Sequence, residues 1–302
     1  MDTKSLRLFV LASETLNISA AGRTLGMAPA VASARLAKLE RTLGAELLHR
    51  STRKVALSLE GADFLPYARE MIAQEEAAFA ALGQGQAELR GTLRFAAPSS
   101  FAQIYIAPLI PEFMDLHPDL TLDLHLSDTQ FDLIEGSFDL ALRNAVLADS
   151  SMTGRKLASD SRILCASPDY LARAGVPRSV DDLRAHRLVA FKDAGPRVLV
   201  ADSGASGAFD PRAARGHLIV DDGLTQKQVT LMGAGISVNS RWLVHQEIVN
   251  GTLVRVLPAY ELAEKPALWM VYPKSNVVSA KVRVFMDFLI ARIGKHAAWE
   301  GP

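Results

Sequence analysis

Cysteine is nearly absent from this chain, since Cys165 is the only one among its 302 residues. A single cysteine excludes an intramolecular disulfide framework and a cysteine-based zinc site. No stretch approaches the roughly 18 consecutive apolar residues of a membrane span. The N-terminus also lacks a cationic segment followed by an apolar run and a cleavage site. We therefore expect a globular cytoplasmic protein of two or three domains that has no membrane partner.

The formal net charge of the chain is zero, because 33 lysines and arginines balance 33 aspartates and glutamates. The balance is uneven along the chain, since residues 1–58 contain nine lysines and arginines against four aspartates and glutamates. Such segregation favours a head that binds nucleic-acid phosphates, attached to a body that does not attract them. A solvated charged face is the alternative, but it does not explain why the charges are segregated.

The stretch 17–43 predicts two helices joined by a tight turn. The first helix covers 19–25, Gly26 suits the turn because glycine adopts positive φ, and Pro29 lies in the first turn of the second helix. An apolar stripe at spacings of three and four follows the second helix through Val31, Ala32, Leu36, Leu39 and Leu43. The N-terminal part of this helix carries small residues, and lysine and arginine follow further along. A helix of this kind can lie in the major groove of DNA. An ordinary αα-hairpin is the alternative interpretation.

The flanking segments complete a winged helix-turn-helix. A first helix is predicted over 5–16, and residues 46–57 predict two short strands around the turn 51–53. The basic tip of this wing is placed to contact phosphate or the minor groove. The candidate DNA-contacting residues of helix and wing are Pro29, Ala30, Ser33, Ala34, Arg35, Lys38, Arg50, Thr52, Arg53 and Lys54.

A long helical pattern follows over 58–82. Ser58 can cap its start, and Pro66 is expected to kink the helix or end it early. Its apolar residues form a seam comprising Leu65, Ala68, Ile72, Phe79 and Leu82. We expect this seam to pair with a second copy of the chain, and packing on the chain's own body is the alternative. The short polar linker 83–86 ends the segment.

Strands and helices alternate beyond residue 90, which predicts a parallel sheet with right-handed crossovers. A first sheet is predicted from strands at 92–97, 120–126 and 138–142, with a returning strand at 268–272. A second sheet is predicted from strands at 163–166, 188–191, 217–220, 236–238 and 253–256. The predicted helices cover 99–114, 130–135, 225–232, 242–249 and 281–293.

A ligand site is predicted at Pro98-Ser99-Ser100, between the carboxyl end of a strand and a helix N-terminus. Backbone N–H groups and two hydroxyls can converge there on an anion, although a plain serine cap is equally compatible. Arg143 ends another predicted strand and would bind a carboxylate in bidentate fashion, or pair with a neighbouring aspartate.

The sequence contains no complete motif that is typical of an enzyme. Cys165 lies in an apolar strand, where thiols are usually structural, and the seven histidines show no metal-ligand spacing. The glycines of 204–207 and 233–235 lack the third glycine of a dinucleotide loop. We therefore expect no catalytic residues, no metal and no cofactor other than a small-molecule effector.

A family resemblance extends through the first part of the chain. It is carried by Ala20-Ala21, Ala32-Ser33, Leu39-Glu40, Leu43-Gly44, Leu47-Leu48-His49-Arg50 and the segment from Leu57 to Gly61. These residues resemble the N-terminal domain of LysR-type transcriptional regulators. The chain differs from the common pattern at Ala28-Pro29-Ala30 and at Ala34, where many members carry Ser-Gln-Pro and arginine.

The resemblance implies an α/β architecture. An N-terminal winged helix-turn-helix and a long linker helix would precede a two-lobed effector domain like a type 2 periplasmic binding protein. The implied domains are residues 1–58 for DNA binding, 59–90 for the dimerisation helix and hinge, and 91–302 for effector binding. Lobe I would comprise 91–160 and 268–302, and lobe II would comprise 161–267.

The resemblance also implies a function, that of an activator or repressor controlled by a small effector, an organic anion, bound between the lobes. The implied partners are double-stranded DNA, RNA polymerase and further copies of the chain in a dimer or tetramer. The candidate effector-binding residues are Ser99, Ser100, Thr129, Arg143, Phe191, Asp222 and Asn239. A cytoplasmic small-molecule-binding module and an enzyme on the same fold are the alternatives, but neither explains a basic head with a wing.

Overall fold

A computed structural model describes most of the chain. The described residues are 2–50, 55–81, 89–128, 138–145, 152–192, 195–201, 203–273, 278–294 and 299. The chain divides into two compact units, one of residues 1–90 and 275–284 and the other of residues 91–274 and 285–302. In the part of the chain so described, no helix is long and apolar enough to cross a membrane.

The first unit begins with the helices α1 (Thr3–Thr15), α2 (Ile18–Thr24) and α3 (Pro29–Leu43). Side-chain caps set two of their starts: Asp2 Oδ1 accepts from the Ser5 amide at 2.8 Å, and Asn17 Oδ1 accepts from the Ala20 amide at 2.9 Å. Gly26 and Gly44 adopt φ of +68° and +71°, as expected of glycines that end helices. The predicted helices are therefore confirmed within two residues.

The core of this unit is built from all three helices, the wing and the next helix. Its buried side chains are Leu6, Leu8, Phe9, Ala12, Ile18, Ala21, Ala32, Leu36, Leu39, Leu47, Leu48, Leu65 and Ala68. The predicted stripe on α3 is wrong at Val31, whose side chain is 52% exposed. A Cβ on Gly22 would lie 2.6 Å from Cβ of Ala32, so glycine at this position permits the close packing of α2 on α3.

The wing consists of the antiparallel strands β1 (Leu48–Arg50) and β2 (Val55–Leu57), as predicted. Glu40 Oε1 fixes its first strand by accepting from the amides of Leu47 and Leu48 at 3.1 and 3.2 Å. The tip, with the candidates Thr52, Arg53 and Lys54, lies outside the described residues, and only the backbone of Arg50 is described.

Helix α4 (Leu59–Ala81) starts at Ser58, whose Oγ accepts from the Gly61 amide at 2.8 Å. The expectation that Pro66 would end the helix early is wrong, because α4 continues through it. The predicted seam is divided between two environments. Leu65 and Ala68 are buried in the core of the unit and Ile72 packs against it, whereas Phe79 is half exposed.

The second unit contains thirteen strands among its described residues. They are β3 (Gly91–Ala97), β4 (Leu120–Leu126), β5 (Leu140–Ala145), β6 (Met152–Ser159), β7 (Arg162–Ala166), β8 (Arg187–Phe191), β9 (Arg197–Ala201), β10 (Ser206–Phe209), β11 (Gly216–Val220), β12 (Ile236–Ser240), β13 (Val254–Arg255), β14 (Tyr260–Leu262) and β15 (Ala267–Pro273). The helices of this unit are α5 (Ser99–Phe101), α6 (Ile110–Leu116), α7 (Pro168–Ala174), α8 (Gly223–Leu231) and α9 (Arg241–Val249). The last helix, α10 (Ala280–Leu289), begins in the first unit and ends in the second. A π-helical turn over Ala102–Ile106 and a 3-10 turn over Ala107–Leu109 connect α5 with α6.

The strands form three sheets, of orders β4-β3-β5-β15-β6, β11-β8-β12-β7-β13 and β10-β9-β14. We call the first sheet with its helices lobe I, and the other two sheets with theirs lobe II. Both five-stranded sheets are mixed, since β15 runs antiparallel to β5 and β6, and β7 antiparallel to β12 and β13. The predicted parallel arrangement therefore holds for three neighbouring strands of each sheet and is wrong for the other two. The sequence analysis also missed β6, β9, β10, β14 and α7, and the helix that it predicted at 130–135 lies outside the described residues.

The chain crosses between the lobes twice, over 159–162 and over 262–267. A backbone hydrogen bond of 3.1 Å from Asp160 N to Pro266 O connects the two crossings. Because β3, β4 and β5 are parallel neighbours in lobe I, their carboxyl ends meet at one edge. The carboxyl ends of β8, β11 and β12 do the same in lobe II. Ligands of open α/β sheets bind at such edges, so this geometry directs attention to the residues that follow these strands.

Candidate functional site

The outer surface of α3 combines small side chains with cations. Pro29, Ala30, Ala34 and Lys38 are exposed, while Ser33 and Arg35 are half-buried. Pro29 begins the helix without an N–H to satisfy, and the apolar side of α3 is held in the core. The predicted contact residues of α3 therefore lie on the side of the helix that the core leaves accessible, or at its border.

Arg35 forms an ion pair within its own unit. Its Nη1 lies 3.0 Å from Oδ1 of Asp2, the residue that caps α1. The Ser5 amide, and to a lesser extent the Arg35 guanidinium, hold the pKa of Asp2 below its usual range. A phosphate that recruits Arg35 has to compete with this carboxylate, so Lys38 is the more accessible cation of the surface.

A group of polar side chains connects the two lobes at the carboxyl end of β3. Ser100 is buried, its amide donates to Asp128 Oδ1 at 3.0 Å, and its hydroxyl donates to Asp128 Oδ2. The Gly223 amide of lobe II donates to the same Oδ2 at 2.7 Å. Asp128 thus accepts from both lobes.

The start of α8 adds two further bonds between the lobes. The Leu224 amide donates to Ser100 Oγ at 3.1 Å, and Ser99 Oγ donates to Asp222 Oδ2 at 3.4 Å. Asp222 also caps α8, since its Oδ1 accepts from the Thr225 amide at 2.6 Å. The structure therefore brings together three of the predicted effector residues, Ser99, Ser100 and Asp222.

Sequence reasoning missed the two residues at the centre of this group, Asp128 and Gly223. A signal for Asp128 was available, because a carboxylate two residues after a strand that is parallel to β3 lies at the same sheet edge. Thr129, the neighbouring candidate, lies outside the described residues. Gly223 carries no side-chain chemistry that a motif could have revealed.

The remaining predicted residues lie elsewhere in the two lobes. Arg143 is half-buried on β5, opposite Trp269 of β15. Phe191 ends β8 and lines a cavity of about 10 Å³ inside lobe II, together with Gln226 and Val238. Asn239 is buried in lobe II, where its Nδ2 donates to Ser237 Oγ at 2.6 Å and to Cys165 Sγ at 3.3 Å. The contacts given for Phe191 and Asn239 are internal to lobe II and do not join the group around Asp128.

Asp160 connects the lobes at the first crossing. Its Oδ2 accepts from Asn144 Nδ2 of lobe I at 2.7 Å, from Arg162 Nε at 3.1 Å and from Ser240 Oγ of lobe II at 3.0 Å. The described residues supply no hydrogen bond to its Oδ1 or to Oδ1 of Asn144. Burial raises the pKa of Asp160 above its usual range, and the charge of Arg162 opposes this shift.

The only cysteine is unsuited to nucleophilic chemistry. Cys165 is buried, and burial raises the pKa of its thiol to about 11, so the reactive thiolate is scarce at neutral pH. Within the ranges given above, no cluster of three histidine, cysteine, aspartate or glutamate side chains could hold a metal ion.

Comparison with known proteins covers both units. The family model described as bacterial regulatory helix-turn-helix protein, lysR family, matches residues 3–62, and the model described as LysR substrate binding domain matches residues 86–294. An HTH-type transcriptional regulator of Xanthomonas campestris pv. campestris is 34% identical over 97% of this chain and 86% of its own length.

Two further relatives are also described as transcriptional regulators. The transcriptional activator TtdR of Escherichia coli K12 is 32% identical over 97% of this chain and 95% of TtdR. The solved structure of CrgA, a LysR-type transcriptional regulator from Neisseria meningitidis, is 29% identical over 97% of this chain and 99% of that chain, with a TM-score of 0.62.

Proposed function

Since this chain belongs to the LysR family of DNA-binding transcriptional regulators, we propose that it binds promoter DNA as a homodimer or homotetramer under the control of a small organic anion. Its relatives are transcriptional regulators and not enzymes. We propose further that the protein acts in the cytoplasm, and that it activates or represses transcription through contact with RNA polymerase.

The accessible surface of α3 is the observation that carries the DNA-binding part. Ala30 and Ala34 are exposed and four residues apart, so their methyl groups lie on one side of the helix. Such methyl groups can pack on the C5-methyl groups of thymine in the major groove. Lys38 follows one turn later, where a cation can bind phosphate and fix the position of the helix.

The assembly part rests on apolar side chains of α4 that the described residues leave exposed. Tyr67 and Met71 are 62% and 40% exposed and lie four residues apart, whereas Leu65 and Ala68 are buried in the core of their own unit. We propose that a second copy of α4 covers Tyr67, Met71 and Phe79. Two DNA-binding units held by one dimer would bind two half-sites with the gain of effective concentration.

The effector part rests on the polar group at the carboxyl ends of β3 and β4. We place an anionic effector between the lobes, at the position of the Asp128 carboxylate. The amides of Ser100 and Gly223 and the hydroxyl of Ser100 all donate to this position. An effector controls DNA binding only if it binds one arrangement of the lobes better than another. Arg143, Phe191, Asn239 and Thr129 remain candidate contacts of such an effector.

The experiment is fluorescence anisotropy of the full chain with labelled duplexes from the region upstream of its own gene. We expect sub-micromolar binding to one duplex with two-fold symmetry, and an affinity that falls steeply with salt because several phosphates are neutralised. A shuffled duplex is the control for sequence, and Lys265→Ala, at an exposed lysine of the second unit, is the control for charge. If the full chain binds no duplex at low salt, the proposed function is wrong.

A further inference from the structure

We propose that Asp128 is an intramolecular ligand of the effector site, whose carboxylate holds the two lobes together until an anionic effector displaces it. This inference rests on the proposed effector site and names the residue that sets its selectivity. Asp128 belongs to lobe I, two residues after the end of β4, and accepts from the Gly223 amide of lobe II. This hydrogen bond therefore holds the cleft between the two lobes closed through groups of the chain itself.

The carboxylate of Asp128 uses the donors that an anionic effector would need. Its Oδ1 accepts from the Ser100 amide, and its Oδ2 accepts from the Ser100 hydroxyl and the Gly223 amide. A hydroxyl has one hydrogen to donate, and so does each backbone amide. A second carboxylate cannot use these three donors while Asp128 holds them, so the two anions compete for one position.

Close packing at Gly223 shows how tightly this position is closed. A Cβ on Gly223 would lie 2.6 Å from Ser100 Oγ and 3.3 Å from Asp128 Oδ2. Even one carbon added to Gly223 would collide with Ser100, so the two lobes pack closely at this position. An effector carboxylate that uses the same three donors has to take the place of the Asp128 carboxylate, and the Asp128 side chain has to move.

Competition by a group in the same chain lowers the apparent affinity for the effector. The observed affinity is reduced by the fraction of molecules in which Asp128 has left the donors. Simple carboxylates therefore bind the parent protein weakly, whereas an effector with further contacts to the lobes can displace Asp128. Removal of the carboxylate should make the position available even to the smallest anion.

The test compares Asp128→Ala with the parent, using sodium acetate as the probe and sodium chloride at equal ionic strength as the reference. We expect acetate to raise the thermal unfolding temperature of the alanine variant saturably, with an affinity about ten-fold or more above that for the parent. In Asp128→Asn the amide still fills the position, so no such response is expected. Asp115→Ala removes an exposed aspartate of lobe I and is the matched control.

Hydrogen exchange provides a second measurement on the same proteins. The amides of Gly223 and Leu224 should exchange faster in the alanine variant than in the parent, and acetate should restore their protection. Equal protection in variant and parent, or an acetate response that is the same in both, would overturn the role of Asp128. If the alanine variant does not fold, Asp128→Ser, whose side chain is too short to fill the position, replaces it in both measurements, and unchanged exchange or an unchanged acetate response overturns the proposal.

Neither measurement uses DNA or the natural effector, so the outcome is separate from that of the proposed function. Acetate binding by the alanine variant without any change in its affinity for duplex would contradict control of DNA binding by this site. The role of Asp128 as an internal ligand would stand in that case.

Discussion

Phe101 and Trp242 meet edge to face, with ring centroids 5.1 Å apart and ring planes at 85°. Phe101 belongs to lobe I and Trp242 to α9 of lobe II, so the contact joins the lobes by apolar packing. The hydroxyl of Tyr105, in the π-helical turn, donates to the carbonyl oxygen of Trp242 at 2.6 Å. The ring of Trp299 contacts that of Tyr105 at a tilt of 60°, and its indole N–H donates to the carbonyl oxygen of Ser159, at the first crossing. The lobes are thus connected by aromatic rings near the crossing and by Asp128 at the sheet edges.

The first prediction concerns the hydrogen bond between the lobes at Tyr105. Tyr105→Phe keeps the ring contacts and removes the donor to Trp242, so we expect the free energy of unfolding to fall by about 1 kcal/mol. Urea unfolding followed by tryptophan fluorescence measures the loss. Tyr272→Phe, at a half-buried tyrosine of β15 outside this contact and outside the proposed assembly surface, is the matched control and should change the stability less. A Tyr105→Phe variant as stable as the parent would show that the bond contributes nothing.

The second prediction concerns DNA recognition by α3. Lys38→Ala should weaken binding to all duplexes alike and reduce the salt slope by about one unit, because one phosphate contact is lost. Ala30→Ser should instead change which duplex is preferred, since it replaces an apolar contact with a polar one at the base edges. Anisotropy with a set of single-base variants of the bound duplex distinguishes the two effects. A sequence-specific loss in Lys38→Ala would contradict this assignment.

The same reasoning extends to the wing from sequence alone. Arg53→Ala and Lys54→Ala are expected to weaken binding uniformly, as lost phosphate contacts do. The corresponding salt titrations would show whether these two residues act like Lys38. A change in the preferred duplex would instead assign them to base contacts.

The third prediction separates assembly from stability on α4. Met71→Glu places a charge on the exposed side of the helix, so we expect the assembled protein to dissociate while the unit remains folded. Ile72→Glu, one residue further, places the charge against the core around Leu65 and should destabilise the unit itself. Light scattering after size exclusion measures the mass, and circular dichroism measures the unfolding temperature. Dissociation in Ile72→Glu with unchanged stability would favour the seam predicted from the sequence instead.

The fourth prediction concerns pH and the buried carboxyl of Asp160. Because its pKa in the folded protein is raised, its contribution to stability is present below the ordinary aspartate pKa and is lost as the pH rises through the raised value. Asp160→Asn is neutral at every pH. We therefore expect the parent to lose stability relative to this variant as the pH rises above the ordinary aspartate pKa and through the raised one.

Urea unfolding at several pH values gives this difference directly. Asp115→Asn, at an exposed aspartate, serves as the control for a general change of charge. A difference between Asp160→Asn and parent that stays constant with pH, or that changes in the opposite sense, would contradict the prediction.

Local interactions made much of the architecture predictable. The starts and ends of α2 and α3 depend on a capping asparagine, a proline at the first helical position and glycines with positive φ, all within a few residues of one another. The strand bounds of β4 agree with the prediction for a similar reason, since leucines alternate with polar residues along it and turn residues border it. By contrast, β9 was missed because both of its faces are apolar: Leu199 is buried while Val198 and Val200 are exposed.

The sequence by itself determined the family, the winged helix-turn-helix and the order of most strands, because capping, periodicity and charge segregation are properties of neighbouring residues. The tertiary structure decided which side of α4 is buried, since two apolar sides compete and the core around Phe9 accepts only one. It also decided what occupies the turn at Ser99 and Ser100. Asp128 reaches this turn from 28 residues away and Gly223 reaches Asp128 across 95. Contacts over such distances depend on sheet order and on the crossings between lobes, which no local pattern encodes.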